Sequence, residues 1–412
     1  MTPLDWATIA IVAATIAGIA VGRWPLLRAN RTTIALIGAA LLLAARAMSV
    51  EEAYAAVDAA TLVLLFSMMV VNGHLYVAGF FGVVTRQVVR VARGPRTLLA
   101  MVILASGVLS ALFINDTVVL MLAPVVLDTT RALRRDPLPY LLGLATGANV
   151  GSSATITGNP QNIVIGSASG IPYVEFAAAL APTALIGLAI CWAVIVLLHR
   201  REFRPERFVV PDVARGNLSG RGAPRLYRPL LIKSALVVPA MLALFLAGVP
   251  VALAAFLAAA ALLATRRLRP QRIFATVDWE LLVFFAGLFV VTGSLEARGL
   301  TDRLFEAAAP LARGGLAPFA LVTAALSNLI SNVPAVLLLQ SLVPAFADER
   351  RAWLMLASAS TLAGNLTLIG SVANLIVAEL AARWGVRISF RAYLRVGVPI
   401  TALTLLVALL LV

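Results

Sequence analysis

The sequence predicts an all-α polytopic membrane protein with an inverted-topology repeat and about 9–11 spans. Three observations predict this fold class. Of the 412 residues, 61% are hydrophobic and 13% are charged, whereas soluble domains carry roughly 25% charged residues. Arginines collect in alternate connections between the apolar segments. Finally, three blocks of the first half of the chain recur in the same order in the second half.

The first apolar stretch, 1–21, is long enough to cross about 30 Å of hydrocarbon. A cleaved signal would carry basic residues before its apolar run, whereas here they follow it. We therefore predict a retained first span and assign 1–57 to N-terminal scaffold spans.

The basic residues predict the orientation. A formal net charge of +14 would suit a nucleic-acid partner. However, if the spans cross the membrane in alternate directions, 27 of the 33 basic residues fall on the same side of it. The connection 200–233 contains more of them than any other. The positive-inside rule makes that side cytoplasmic. We therefore expect a multi-pass protein of the cell inner (plasma) membrane with its N-terminus outside. Its large partner would be the lipid bilayer and not nucleic acid.

This orientation requires the segment 97–130 to begin and end on the cytoplasmic side. The segment is about 34 residues long, which is short for two full spans. Its polar break, Asn115–Asp116, lies near the middle. We therefore predict a re-entrant hairpin, which is tolerated in a membrane only when it is buried in protein or lines a wet cavity.

The second half of the chain repeats the first. The block 57–79 aligns with 277–299 at an offset of 220. SALFINDTVVL aligns with SNLISNVPAVL and pairs Asn115 with Asn332, while ITGNPQNIV matches LIGSVANLIV and pairs Asn162 with Asn374. The second hairpin falls on the external side, so the two copies have opposite orientations.

The repeat divides the chain into four predicted parts. The N-terminal scaffold spans are followed by repeat 1, by a basic cytoplasmic linker with two connecting spans, and by repeat 2. Each repeat contains a re-entrant hairpin and a broken helix. The bounds are 58–199 for repeat 1 (hairpin 97–130, broken helix 138–167), 200–276 for the linker and its spans, and 277–412 for repeat 2 (hairpin 315–346, broken helix 352–381).

Polar residues interrupt both broken helices, in GANVGSSATITGNPQN and AGNLTLIGSVAN. In inverted-repeat transporters, the substrate and the coupling ions bind near the membrane midplane, where such breaks meet the hairpin tips. Helix packing through small residues is the alternative reading. The predicted substrate- and ion-binding residues are Asn115, Asp116, Thr117, Asn149, Ser152, Ser153, Thr155, Asn159, Asn162, Ser331, Asn332, Asn365, Thr367, Ser371 and Asn374.

Asp116 is the carboxylate that we place at mid-membrane depth. It could carry a proton or complete a sodium site with Asn115 and Asn149. It could also cap the second limb of its hairpin, and the two roles are compatible. Asp58 and Asp278 lie at span entrances, where N-capping explains them. No group of metal ligands is evident around the two histidines. Apart from sodium, no cofactor is expected.

The order INDT, GANVGSSATITGNPQN, ISNVP, GNLTLIGSVAN resembles the ion transporter superfamily, over nearly the whole chain from Asp58 onward. That group includes arsenite permeases, a class of sodium/proton antiporters, divalent anion/sodium symporters and citrate carriers. The symporter tips carry Ser-Asn-Thr, whereas here Ile114 and Asp116 flank the first tip asparagine and Val333 follows the second. The first tip and the ending LTLIGSVANLIVAEL are more similar to the arsenite-permease branch.

The resemblance implies a scaffold, a moving part made of hairpins and broken helices, and elevator-type alternating access. It favours a secondary active transporter for arsenite, antimonite or another oxyanion, driven by protons or sodium. The single lysine, Lys233, lacks the glycines of a phosphate-binding loop. A homodimer, or a soluble ATPase partner as in an arsenite pump, is compatible with this family.

Three alternatives stay open at this stage. A sodium/proton antiporter is the first, and a sodium-coupled dicarboxylate or citrate transporter is the second. The third is an intramembrane enzyme, which would need two membrane aspartates or a His-Glu-x-x-His motif. Neither is evident in the sequence, so we predict that the protein is not an enzyme.

Overall fold

The computed structural model describes residues 1–21, 30–204, 226–266, 268–301, 303 and 314–412. Within these ranges every regular element is helical. Residues 205–225 of the predicted basic linker lie outside the described residues. Seven described helices are long and apolar enough to cross a membrane: Pro3–Val21, Ala59–Ala78, Pro95–Leu112, Tyr173–Leu198, Arg228–Leu246, Trp279–Ala297 and Phe390–Leu411. The predicted class, an all-α polytopic membrane protein, is confirmed.

The described helices of the first half alternate between long apolar segments and shorter ones. In chain order they are α1 (Pro3–Val21), α2 (Arg31–Ala44), α3 (Val50–Ala56), α4 (Ala59–Ala78), α5 (Phe80–Val91), α6 (Pro95–Leu112), α7 (Asn115–Ala132), α8 (Pro137–Ser152), a 3-10 turn (Ile156–Gly158), α9 (Pro160–Ser169) and α10 (Tyr173–Leu198).

Three connecting helices lead into the second half, which has the same order of elements. They are α11 (Arg228–Leu246), α12 (Val251–Leu263) and α13 (Pro270–Phe274). The second half contains α14 (Trp279–Ala297), α15 (Leu316–Ile330), α16 (Asn332–Leu339), a 3-10 segment (Gln340–Ala345), α17 (Glu349–Ala363), α18 (Val372–Arg383) and α19 (Phe390–Leu411).

Hairpin 1 consists of α6 and α7, and α6 lies along α8. The contact is close, because a Cβ atom on Gly151 of α8 would lie 2.2 Å from the carbonyl oxygen of Gly107 in α6. The limb α6 has 18 residues, which is about 27 Å of helix. The limb α6 alone is thus almost as long as the hydrocarbon core is thick, which the short segment 97–130 did not predict. The assignment of hairpin 1 as re-entrant therefore rests on the arginine pattern and stays a prediction.

The break between α8 and α9 has a local cause. Asn159 is extended, with φ −157°, and its Oδ1 accepts a hydrogen bond from the backbone N–H of Asn162 at 2.9 Å. Pro160 follows at the first helical position, where a backbone N–H would have no partner within the helix, so its absence does not weaken the helix. Gly158 is required, because a Cβ atom there would lie 2.2 Å from the Ser152 carbonyl oxygen.

The scaffold helices α1 and α2 pack against α14 of the second half, and α4 packs against α12. The aspartates at the repeat-equivalent span entrances cap their helices, as expected. Asp58 accepts from the N–H of Ala60 at 2.9 Å, and Asp278 accepts from that of Leu281 at 2.9 Å. These caps fix where α4 and α14 begin.

Candidate functional site

Asn162, in the first turn of α9, satisfies carbonyl groups left free by the first break. Its Nδ2 donates to the carbonyl oxygens of Ser152 at 3.2 Å, Ser153 at 3.4 Å and Thr155 at 2.9 Å. The last turn of a helix leaves its carbonyls without intrahelical partners, and burying them unpaired is costly. Asn162 therefore removes much of the free-energy cost of burying the break in apolar surroundings.

Asn374 does the same in the second half. Its Nδ2 donates to the carbonyl oxygens of Gly364 at 2.8 Å and Thr367 at 3.2 Å. These residues lie 212 positions after Ser152 and Thr155, and Asn374 lies 212 positions after Asn162. The repeat seen in the sequence is therefore also a repeat of hydrogen bonds.

The two breaks are bonded to each other. Asn149, near the end of α8, donates through Nδ2 to Oδ1 of Asn374 at 3.0 Å and to Oδ1 of Asn365 at 2.9 Å. In the opposite direction, the hydroxyl of Thr361 donates to Oδ1 of Asn162 at 3.3 Å. Thr361 is the repeat equivalent of Asn149. Each half thus contributes one side chain to the asparagine of the other half.

Each hairpin is also held to the break in its own half. The hydroxyl of Thr155 donates to the carbonyl oxygen of Ala111 in α6. Its equivalent, Thr367, donates to Oδ1 of Asn328 in α15 at 3.0 Å. Position 328 lies 217 residues after position 111, which is the spacing of the two tip asparagines. The hairpins therefore sit in matching positions.

The tip of hairpin 1 reaches the centre of this network. Asn115 donates through Nδ2 to Oδ1 of Asn149 at 3.1 Å, and Ser371 donates to the same oxygen at 3.0 Å. Oδ1 of Asn115 is buried and has no hydrogen-bond partner. The carboxyl group of Asp116 lies beside the backbone N–H of Ala373. The N-cap position of α7 is held by Ile114, with no side-chain cap, so the capping role considered for Asp116 is wrong.

The tip of hairpin 2 differs from the first. Ser331 has φ 80° and ψ 156°, a region of backbone space that is essentially reserved for glycine and costs of order 1–3 kcal/mol. Its repeat equivalent, Ile114, has a relaxed backbone with φ −60°. Oδ1 of Asn332 is buried without a hydrogen-bond partner, like Oδ1 of Asn115.

The two tips face one cavity of about 310 Å³. Both tips, the two breaks and the first residues of α2 and α14 line it. This inner cavity is bounded by Arg31, Thr32, Asn115, Asp116, Pro160, Gln161, Asp278, Glu280, Leu281, Phe284, Ser331, Asn332, Val333, Ile369, Ser371 and Val372. Its volume corresponds to about ten water molecules at roughly 30 Å³ each.

Of the predicted residues, Asn115, Asp116, Ser331, Asn332 and Ser371 are in the cavity wall. The others support the wall or lie beside it. Asn149, Asn162, Asn365 and Asn374 form the network behind it, together with Ser152, Ser153, Thr155, Asn159 and Thr367. Thr117 lies in the first turn of α7 and not in the cavity wall.

The sequence prediction missed the scaffold side of the wall. Arg31 and Thr32 at the start of α2 face Asp278 and Glu280 at the start of α14. The side chain of Asn30 donates to Oε1 of Glu280, which joins these helix ends. The capping pattern identified Asp278, but only contact between distant helices shows that it also faces the tips.

A family model described as "Citrate transporter" matches residues 10–363. The chain belongs to the citrate transporter family. The resemblance to the ion transporter superfamily is confirmed. As a member of this family, the protein is a multi-pass membrane transporter and not an enzyme.

Two relatives and one solved structure show how far this family likeness extends. The chain is 32% identical over 420 residues to the silicon efflux transporter LSI3 of Oryza sativa subsp. japonica, covering 87% of each chain. It is 31% identical to a 46 kDa membrane protein of Mycobacterium leprae, covering 92% of this chain and 93% of that protein. The structure of the Alcanivorax borkumensis YdaH transporter is similar over 100% of this chain and 97% of that chain, with a TM-score of 0.62 and 13% identity. This similarity supports the fold described for this member of the citrate transporter family.

Proposed function

We propose that the protein is a secondary active transporter for a small inorganic solute of the arsenite class, an uncharged molecule with several hydroxyl groups. The observation that carries this proposal is the inner cavity wall, in which the amide groups of both tips and the hydroxyl of Ser331 meet a single tip carboxyl group. The buried free oxygens of Asn115 and Asn332 are suited to accept hydrogen bonds from such a solute.

The charges in the wall support a neutral solute over a di- or tricarboxylate. Among the described residues that line the cavity, three are acidic (Asp116, Asp278 and Glu280) and one, Arg31, is basic. The negative charges of these acidic side chains repel an anion, whereas a neutral hydroxylated solute can donate hydrogen bonds to the carboxylates. The silicon efflux relative gives further support, since silicic acid is also a small uncharged polyhydroxylated molecule.

Asp116 is our candidate for the coupling proton. It is the acid of a tip, adjacent to Asn115, and it faces the cavity. A carboxyl group at membrane depth that faces a wet cavity can exchange a proton with each side in turn. Sodium is the other candidate coupling ion, because the buried free oxygen of Asn115 is a hard ligand beside Asp116. The proposed setting is the inner membrane with the N-terminus outside, and the proposed motion is of elevator type.

Purified protein in liposomes would test the proposal. Uptake of arsenite, silicic acid, citrate and sodium would be measured under a pH gradient and under a sodium gradient. We expect the pH gradient to drive arsenite or silicic acid uptake. Asp116→Asn should still move solute down its own gradient but should lose accumulation driven by protons. Asp278→Asn is the matched control, because it removes another cavity acid outside the tips.

Three outcomes would contradict specific parts of the proposal. Proton-coupled accumulation by Asp116→Asn at the wild-type rate would exclude the carrier role. Uptake of citrate alone would exclude the solute class and favour the citrate alternative. Accumulation driven by sodium and not by pH would exclude proton coupling.

A further inference from the structure

A second cavity of about 130 Å³ lies at the other end of α16. Its polar lining includes Thr292 and Glu296 of α14, and Gln340 and Ser341 after α16. Oε1 of Gln340 is buried with no hydrogen-bond partner. Glu296 is exposed, so this outer cavity reaches the surface there. At roughly 30 Å³ per water, it has room for a few waters or one small solute.

The inner and outer cavities lie along the same two helices. On α14, Phe284 faces the inner cavity and Phe289 faces the outer one. On α16, Val333 faces the inner cavity and Leu337 the outer one. Separations of five and four residues correspond to about 6–8 Å of helix. The two cavities therefore lie at opposite ends of the interface between α14 and α16, which we call the seam. A short segment of this interface separates them.

That segment is an apolar layer. The rings of Phe284 and Phe285 lie 6.0 Å apart between centroids, and those of Phe285 and Phe289 lie 6.1 Å apart. Leu337 is buried on the facing helix. Apolar constrictions exclude water and block polar solutes, so this layer closes the seam in the present conformation.

The helix that faces this layer, α16, has features that are typical of switching segments. It has eight residues, continues into a 3-10 segment and follows Ser331, the N-cap residue with the glycine-like backbone. Strain of this kind clusters at switching segments, and 3-10 stretches often mark hinges. A rotation about Ser331 would displace Leu337, which lines the outer cavity together with Phe289.

We propose that the outer cavity is a second solute-binding site at the far end of the transport route, and that α16 opens the aromatic layer between the two sites. The ligand would be of the class proposed for the inner cavity, so the inference rests on the proposed function. Oε1 of Gln340 and the hydroxyl oxygens of Thr292 and Ser341 would accept its hydrogen bonds.

Site-directed labelling can test this inference, because the only cysteine, Cys191, is buried. Thr292→Cys reports on the outer cavity, and Thr32→Cys reports on the inner cavity. Val290→Cys is the control, since it lies on the same helix but outside both cavities. Each variant would be treated with a charged methanethiosulfonate in right-side-out and in inside-out vesicles, with and without silicic acid. Silicic acid is the probe because arsenite reacts with thiols.

We expect Thr292→Cys to react from one face and Thr32→Cys from the opposite face. Each should react at least about tenfold faster than Val290→Cys, because the thiolate must reach water to react. Silicic acid should slow both reactions. Adding Leu337→Ala should make Thr292→Cys reactive from both faces. Gln340→Cys serves as a second outer reporter if Thr292→Cys does not fold, as judged by gel filtration.

Several results would overturn the inference. Equal reactivity of Thr292→Cys and Val290→Cys from both faces would exclude an outer route, and so would reaction of Thr292→Cys from the face that labels Thr32→Cys. Protection of Thr32→Cys alone would exclude a second solute site. If both cysteines react from opposite faces but silicic acid protects neither, the proposed solute class fails while the two-ended route stands.

Discussion

Asn149 donates its side-chain amide to Oδ1 of Asn374, 3.0 Å away, and so bonds the break in one repeat to the break in the other. The same amide group accepts from Asn115 at one hairpin tip and from Ser371 at the far break. One side chain thus links three segments that are distant in sequence: the two breaks and the tip of hairpin 1. In a buried setting, each bond that such a network loses carries a large free-energy cost.

Replacing Asn149 tests this link. We expect Asn149→Ala to lower the free energy of unfolding by about 1–3 kcal/mol for each buried polar group that it leaves unpaired. Solute uptake should fall with it, because Asn115 loses its partner. Asn149→Thr is the matched control, since Thr361 makes the equivalent bond, and it should recover part of the loss. Thermal unfolding in detergent and uptake in liposomes would be measured together. An unchanged melting temperature for Asn149→Ala would show that the network is not needed for stability.

The backbone of Ser331 leads to a second prediction. Ser331→Gly should stabilise the protein, because glycine adopts φ 80° and ψ 156° without the strain of roughly 1–3 kcal/mol carried by serine. Ile114→Gly, at the equivalent place in hairpin 1, is the control and should destabilise, since Ile114 is buried and its backbone is relaxed. The two melting temperatures should move in opposite directions. A fall for both variants would show that Ser331 is not strained.

Contact between α6 and α8 gives a third prediction. A Cβ atom on Gly151 would lie 2.2 Å from a backbone oxygen of Gly107. Gly151→Ala must therefore separate the helices, at about 1–3 kcal/mol or more. Gly143→Ala, on the same helix, meets the flexible end of Leu99 at 2.7 Å and should change stability by less than about 1 kcal/mol, because alanine favours the helix. Chemical unfolding of both variants would show the difference, and equal losses would contradict it.

Arg31 provides a fourth prediction, which separates solute classes. For a neutral solute, Arg31→Gln should change the apparent affinity by less than about threefold, since no ion pair is lost. For an anion, the loss of a charged hydrogen bond of about 1.5–3 kcal/mol corresponds to roughly tenfold or more. Concentration-dependent uptake of silicic acid and of citrate would be compared, with Thr32→Ala as a neighbouring control in the same wall. A loss of tenfold or more for silicic acid would count against a neutral solute.

Pattern and local spacing were enough to predict the repeat and the main polar residues. Asn162 and Asn374 could be paired because they occur in matching blocks, and their hydrogen bonds to the preceding carbonyls follow the same spacing. The equivalence of Asn149 and Thr361 was not visible, because the two residues differ in type. Their shared role depends on a bond to the opposite repeat, and single-chain spacing does not contain that information.

The scaffold side of the inner cavity could not be predicted for a different reason. Arg31 and Glu280 are separated by 249 positions, and Arg31 lies outside the repeat. They face each other only because α2 packs against α14. The strain at Ser331 was also invisible, since glycine is the usual sequence signal for that backbone region and the chain has serine instead.

The unequal tips have a thermodynamic consequence for the transport cycle. The two repeats support their breaks with equivalent bonds, so similar tips would give the two conformations of the proposed alternating-access cycle similar energies. The strained tip residue removes this balance. Any conformation that relaxes Ser331 gains about 1–3 kcal/mol, which is a population factor of roughly 5 to 150. In the proposed alternating-access cycle, a conformation that relaxes Ser331 would therefore be the one that the empty carrier prefers at rest.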